Sequence, residues 1–315
     1  MIADRETALA ALYSDFAALN MEGGWHRRFP ALWAEPRRNF LPHVWHYADV
    51  KPILDRAGEL IDTQQAERRN LTMFNPVEGN IYSTVRTIVA AYQMIRPGET
   101  ARAHRHTPNA LRLILEGHGT STVVDGKQVE MRPGDVLLTP NWAWHSHSND
   151  GAEQCYWMDF LDVPLVHLLE PMFYEPHPDG VEQAVEPLDQ AAIAFRWEDT
   201  LARFEAEQAC LGPDVPLTIE LGPAQLDTIA LHMLRIGAGQ ATAPTQTTAN
   251  AIFAVVQGSG VAEIDGERHA WSFGDTIAVP AWRSHSIHAE RDAVLLRVSD
   301  EPVMRKLGWL RSRQA

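Results

Sequence analysis

Between residues 83 and 140 the chain runs in short stretches where apolar and polar residues alternate, interrupted by glycine, proline and aspartate. A period of two sends successive side chains to opposite faces of an extended strand. Ser83 to Ile95, Leu111 to Leu115, Thr120 to Val124, Lys127 to Met131 and Val136 to Thr139 are therefore predicted strands, with turns at Asp125-Gly126 and Pro133-Gly134-Asp135. An Asp-Gly pair between two such runs marks a hairpin. Helical spacing appears around this β-rich body. Leu9, Leu12, Phe16 and Leu19 form a stripe within Met1 to Asn20, and Arg56 to Arg69 reads as a helix ahead of the Asn75-Pro76 break. Leu201, Phe204 and Gln208 recur at helical spacing in Trp197 to Leu211, and Val303 to Arg313 reads as a short helix with Arg311 and Arg313 in its last turn. Met21 to Pro52, with Trp25, Trp33 and Trp45, reads as an extended aromatic arm whose apolar surface should be covered.

The second half repeats the first at an offset of 140 to 141 residues. Gly239 answers Gly98, Gly258 answers Gly117, Asp265-Gly266 answers Asp125-Gly126, and Gly274-Asp275 answers Gly134-Asp135; Pro280, Trp282 and His285 answer Pro140, Trp142 and His145. Such self-similarity marks an internal duplication. The expected organisation is all-β with peripheral helices: an N-terminal helix and arm (1–80), a first barrel (81–175), a linker with the turn-rich His177 to Gly180 and a helix (176–215), a second barrel (216–300) and a C-terminal helix (301–315). A chain of 315 residues, 45% hydrophobic, suits two modest cores at roughly 100 to 150 residues per domain.

Chemistry is concentrated in one half. His104 and His106 form an i, i+2 pair, as do His145 and His147, so each pair projects from one face of its strand, and the hairpins between them bring His145 to the first pair. The duplicate has Thr245-Gln246-Thr247 in place of the first pair and Phe253 in place of Arg112, a poor donor set for a divalent transition metal. His285 and His288 are accordingly expected to be structural. A net charge of −14 argues against nucleic acid or an anionic membrane as partner. Two cysteines, Cys155 and Cys210, point to a reducing, cytoplasmic setting without a disulfide framework. Asp4, Arg5, Glu6 and Asp15 interrupt the first helix, so neither an export signal nor a membrane span is expected there.

Gly98, His104-Arg105-His106 and Gly117, followed by Gly134, Pro140, His145 and Asn149, resemble the two motifs of the cupin superfamily. Two departures are Ala110, where many cupins carry a glutamate ligand, and Trp142, where a glycine is usual. The strings Ala103 to Arg112 and Thr139 to His147, with Ala66 to Arg69, Asp159 to Leu165 and Asp300 to Val303, resemble the gentisate 1,2-dioxygenase family, which includes salicylate and 1-hydroxy-2-naphthoate ring-cleaving enzymes. The resemblance implies a bicupin of two double-stranded β-helix (jelly-roll) barrels. It implies Fe(II) on His104, His106 and His145, and an aromatic acid and O2 as substrates. Arg68, Arg112 and Gln93 would fix the substrate, His147 would transfer protons, and Asp159 would orient one of the three substrate-fixing side chains. It also implies a homo-oligomer, with a tetramer favoured. Val89 stands where these enzymes often carry a tryptophan, and Asn70 lies in the Arg68 segment bordering the pocket. Both bear on which acid is taken.

Elementary coordination chemistry is consistent with this. Three neutral imidazoles leave an octahedral Fe(II) with three open positions and its full double charge. An ortho-hydroxy aromatic carboxylate needs two of those positions and dioxygen the third. Arg112 has the strand parity of Ala110 and points inward, where its charge needs an anion, either a substrate carboxylate or an internal partner such as Asp159. Zinc with a water, giving a hydrolytic enzyme, and a non-catalytic module that binds an aromatic acid remain alternatives.

Overall fold

The computed structural model describes residues 2–26, 31–187, 193–212, 215–222 and 226–314, so parts of the expected 176–215 linker lie outside the described residues. Residues 1–37 and 38–315 are separate compact units. In the first, helix α1 (Ile2–Ala18) occupies most of the predicted stripe. Tyr13 stacks on His26 with ring centroids 3.7 Å apart, Phe16 meets Trp25 edge-on, and Arg37 lies over Trp33. Trp25 and Trp33 remain exposed.

The second unit begins with β1 (His43–Trp45), α2 (Tyr47–Leu60) and β2 (Arg69–Met73). The first barrel continues with β3 (Val89–Ile95), β4 (Thr100–His106), β5 (Ala110–Glu116), β6 (Thr120–Val124), β7 (Lys127–Glu130), β8 (Val136–Thr139), β9 (His145–Asn149) and β10 (Cys155–Leu161). Then come α3 (Val163–Leu169), β11 (Tyr174–Pro176), β12 (Glu186–Pro187), β13 (Ala194–Phe195), α4 (Trp197–Leu211) and β14 (Leu217–Glu220). The second barrel holds β15 (Ala230–Ile236), β16 (Thr245–Thr247), β17 (Ala251–Gln257), β18 (Ser259–Ile264), β19 (Glu267–Ser272), β20 (Thr276–Val279), β21 (His285–Ala289) and β22 (Ala293–Ser299), followed by α5 (Glu301–Lys306) and β23 (Ser312–Gln314). No described helix is long and apolar enough to cross a membrane.

Each barrel is a pair of sheets. The first combines β13-β8-β5-β10-β3-β2 with β11-β4-β9-β6-β7-β12, and the second combines β1-β20-β17-β22-β15-β14 with β19-β18-β21-β16-β23. The all-β architecture with peripheral helices is thus present, with the duplication visible in strand order. An exchange accompanies it. The strand that precedes the first barrel, β1, attaches to the second barrel by pairing with β20, and α2 then carries the chain back to β2 and β3 of the first. The strand before the second barrel, β13, pairs with β8 of the first.

Matching polar locks hold the exchange. Asp135 accepts the Trp197 backbone N–H at 2.8 Å and the Arg196 guanidinium at 2.6 Å; Asp275 accepts the Tyr47 N–H at 2.9 Å and bonds the His46 ring at 2.9 Å. Each carboxylate therefore satisfies N–H groups at the start of a helix that leads into the other barrel. The glycine before each is obligatory. A Cβ on Gly134 would lie 2.7 Å from the Trp197 ring, one on Gly274 would lie 2.4 Å from Tyr47, and both have positive φ. A second reciprocal pair joins Thr228 to Asp162 and Thr87 to Asp300, with Asn109 and Asn250 donating to the same two buried carboxylates.

The main apolar core lies between the barrels. Tyr92, Met94, Leu111, Leu113 and Met158, on the outer face of the first barrel's sheet, belong to one cluster with Leu231, Met233, Ile252, Leu296 and Val298 of the second. A separate cluster, including Phe253, Val255, Trp271 and Leu295, fills the inside of the second barrel.

Three local expectations are corrected. The helix predicted over Arg56 to Arg69 runs instead from Tyr47 to Leu60, since its start is set by Asp275 from across the chain and it continues through Pro52; Asp62 then accepts the N–H groups of Gln64 and Gln65, turning the chain into β2. The strand expected from Ser83 begins only at Val89, after a turn in which Thr84 and Val85 donate to the Ile88 carbonyl. The C-terminal helix ends at Lys306, just before Gly308 with φ 71°, so Arg311 lies beyond it and Arg313 lies in a strand against β16.

If the Asp135 lock carries the exchange, Asp135→Ala strands the buried Arg196 guanidinium and should lower stability by about 3–5 kcal/mol. Urea unfolding followed by tryptophan fluorescence reads this, and a loss under about 1 kcal/mol would be too small for a buried pair.

Candidate metal centre

β4 and β9 lie side by side with His104 opposite His145, and His106 follows on the face of His104. The three imidazoles offer ligand atoms that all lie within 4.8 Å of one another, with ring centroids separated by 4.4 to 5.7 Å. Each ring is oriented by its own backbone neighbourhood. Nδ1 of His104 donates to the Arg102 carbonyl at 3.0 Å, that of His106 to Pro108 at 2.8 Å, and that of His145 to Ala143 at 3.1 Å. A carbonyl only accepts, so Nδ1 carries the proton and every Nε2 keeps its lone pair. Burial, with repulsion from neighbouring imidazoles and guanidiniums, holds protonation of all three down, that of His106 to about 4. The rings are therefore neutral donors at ordinary pH. Among the described residues this is the only cluster of three ligand-capable His, Cys, Asp or Glu side chains, and no carboxylate belongs to it. Such a donor set fits a divalent first-row transition metal.

Behind the cluster, the inner face of the sheet β8-β5-β10-β3-β2 is polar. Register places Arg112 opposite Asp159, Asp159 opposite Ala91, Trp157 opposite Gln93, and Gln93 opposite Asn70. Arg112 is fully buried. Its Nε donates to Asp159 at 3.3 Å and its Nη1 to Thr139 at 2.8 Å. The internal carboxylate named for this guanidinium is thus in contact with it. Asp159 also accepts the Trp157 indole N–H at 2.9 Å and the Gln93 amide, while the Gln93 carbonyl accepts Nε of the half-buried Arg68. A continuous relay thus runs Arg68–Gln93–Asp159–Arg112. The parts played by Trp157 and Thr139 are not singled out by spacing alone, although both share the inward parity of their strands. Val89 is buried at the start of β3, opposite Leu161; Asn70 is exposed, and its side chain accepts from Thr72.

His147 follows His145 on the same face of β9, its ring 6.1 Å from His145 and 5.8 Å from Trp157. It is buried, and neither ring nitrogen has a protein partner. Burial, and then the charges of Arg112 and Arg68, keep its protonation well below the ordinary histidine range. A histidine bonded to backbone at the barrel rim would look different. This one presents two unused polar atoms inside the barrel.

The second barrel preserves the scaffold and loses the donors. Thr245 faces His285 in the register that joins His104 to His145, Phe253 packs 5.7 Å from the His285 ring, and Leu234 takes the place of Gln93. Arg297 stands opposite Phe253, where Asp159 stands opposite Arg112.

Comparison with known proteins agrees with this division. A cupin domain matches residues 91–163 and again 232–299. The 5-aminosalicylate 1,2-dioxygenase of a Comamonas species is 33% identical over 98% of this chain and 91% of its own length, and the gentisate 1,2-dioxygenase of a Streptomyces species is 34% identical over 96% and 95%. The crystal structure of salicylate 1,2-dioxygenase from Pseudoaminobacter salicylatoxidans as an adduct with gentisate superposes with a TM-score of 0.89 at 31% identity, covering 97% of this chain and 93% of that one. The chain belongs to the gentisate 1,2-dioxygenase-like family of bicupin ring-cleaving dioxygenases.

Proposed function

We propose that the chain is an Fe(II)-dependent dioxygenase that opens the ring of a monocyclic ortho-hydroxy aromatic carboxylic acid, gentisate or a substituted salicylate, between its carboxyl- and hydroxyl-bearing carbons. The observation that carries the proposal is a carboxylate-free triad of neutral imidazoles next to a relay of fixed charge. His104, His106 and His145 would hold the metal, which when bound supplies the route for electron density from the ring to dioxygen. With no carboxylate ligand, the metal's charge stays available to an anionic, chelating substrate.

The relay supplies the rest of the recognition. Two guanidiniums against one carboxylate leave one positive charge, suited to a single substrate carboxylate. Asp159 neutralises Arg112 and fixes it against Thr139, so the mobile half of the charge rests on Arg68, whose position Gln93 sets. Within a protein of net charge −14, such a local positive site is what draws an acid inward. His147, neutral and without a partner, is placed to take the proton of the ring hydroxyl as the substrate binds, and to return it as the ring opens. Val89 leaves more room than a tryptophan would, favouring acids with a ring substituent. Related acids of this class should differ by only ~1 to 3 kcal/mol per methylene-sized change. The 5-aminosalicylate, gentisate and salicylate dioxygenases among the relatives fit this substrate class.

Oxygen uptake by Fe(II)-loaded protein should appear with one or more of gentisate, salicylate, 5-substituted salicylates and 1-hydroxy-2-naphthoate, and should cease on chelation and return with Fe(II) alone. Tight binding of an acid with no uptake from any of them would favour the non-catalytic module. His147→Ala should lower kcat by roughly 10²- to 10⁴-fold with little change in substrate affinity, and full activity in that variant would remove the proton-transfer role. Arg68→Met should weaken substrate binding by about 1.5–3 kcal/mol while leaving metal content unchanged, as read by titration calorimetry under anaerobic conditions.

A further inference from the structure

Arg105 sits between two members of the triad, yet by strand parity its side chain leaves the barrel on the opposite face. There its guanidinium carbon lies 4.5 Å from the Trp142 ring centroid and 4.4 Å from that of Trp144. Its Nε and Nη2 both donate to one carboxylate oxygen of Glu175, at 2.9 and 2.7 Å. Guanidiniums favour such aromatic faces.

The partners are placed to matter. Trp144 directly precedes His145, and its backbone is tied on the other side to Asp125, with N–H to Oδ1 and carbonyl to N–H both at 2.9 Å. Trp142 donates its backbone N–H to the His106 carbonyl at 2.9 Å and holds φ at 62°, a conformation a bulky residue rarely adopts. Glu175 belongs to β11, which pairs with β4 so that Tyr174 lies opposite His106 and packs its ring 5.3 Å from His104. One cation thus touches, from outside, the segments that bear all three imidazoles. In the second barrel, where the donors are gone, Arg105 is replaced by Gln246 and Trp144 by Ser284, and Gln246 makes only a hydrogen bond to the Trp282 carbonyl at 3.1 Å. The turn itself is common to both, since Trp282 has φ 63° and donates to the Thr247 carbonyl. A cation still reaches the Trp282 ring there, Arg313 at 5.3 Å, but it comes from β23 and not from the strand of the donors, so a cation placed between two donor positions and held by a second ring is peculiar to the barrel with the triad.

We propose that Arg105, with Trp142, Trp144 and Glu175, is an external clamp that positions His104, His106 and His145 for their metal. This rests on the triad being the metal site. The clamp is partly exposed, with Glu175 44% open to solvent, and an ion pair of that kind contributes little to global stability. Its removal should therefore be felt in ligand geometry before it is felt in folding. Residues that orient ligands from behind typically change metal affinity by roughly 10- to 100-fold.

The test uses Co(II) as an anaerobic probe, with affinity from chelator competition and geometry from the visible ligand-field spectrum, on full-length wild type, Arg105→Met, Arg105→Lys, Glu175→Gln and His145→Ala. Expected are Co(II) affinity about tenfold or more weaker and an altered spectrum in Arg105→Met, partial recovery in Arg105→Lys, and a metal-free melting temperature within about 2 °C of wild type. Wild-type affinity and spectrum in both Arg105→Met and Glu175→Gln would overturn the clamp. So would a weakened affinity in Arg105→Met matched by a proportionate fall in metal-free melting temperature, which would make the group ordinary packing. If His145→Ala binds Co(II) as wild type does, the metal reading fails first and takes the clamp with it.

Discussion

A guanidinium in the middle of a barrel is tolerable only with an anion in register beside it. Arg112 and Asp159 face each other across β5 and β10, and the polar interior of the first barrel depends on that pairing. An unpaired charge at that depth would cost several kcal/mol. Once paired, Asp159 has lone pairs left over for Trp157 and for Gln93, and through Gln93 the field reaches Arg68 near the surface. His147 sits beside this relay and is kept neutral by burial and then by the positive charges of Arg112 and Arg68. One carboxylate therefore sets the net charge of the relay, while burial and the two guanidiniums keep the neighbouring imidazole neutral.

The second barrel shows what happens to the same scaffold without that pair. Phe253 in place of Arg112 and Leu234 in place of Gln93 let apolar side chains close the interior, while His285 alone remains of the donor set. Its outer face still packs against the first barrel, and the large core lies between the two. The duplicated scaffold thus carries a triad of donors in one copy and, among the described residues, no such cluster in the other.

Much of this was legible along the chain. The histidine pairs, the Asp-Gly hairpin and the 140-residue repeat are local or periodic signals, and β6, β8 and α4 fall where alternation or helical spacing places them. Inward parity for Arg112 also follows from a period of two. What escaped depends on distant partners. The start of α2 is set by Asp275, more than two hundred positions away, so Pro52 and the flanking prolines misplace the helix. β2 and β11 are edge strands whose identity comes from the neighbours they join, Gln93 and His106 among them. Parity places Arg112 inside but does not say which carboxylate of the chain stands beside it; the register with β10 brings Asp159 there.

The crossing of β1 and β13 has an evolutionary corollary. Since each half completes the sheet of the other and supplies the residues that cap its helix, neither copy makes a self-sufficient module. A gene fragment carrying only the triad-bearing half would lack the strand beside Val136 and Leu137 and the cover for its largest apolar surface. Each copy therefore relies on the other to complete its sheet and cap its helix, whichever of them carries the donors.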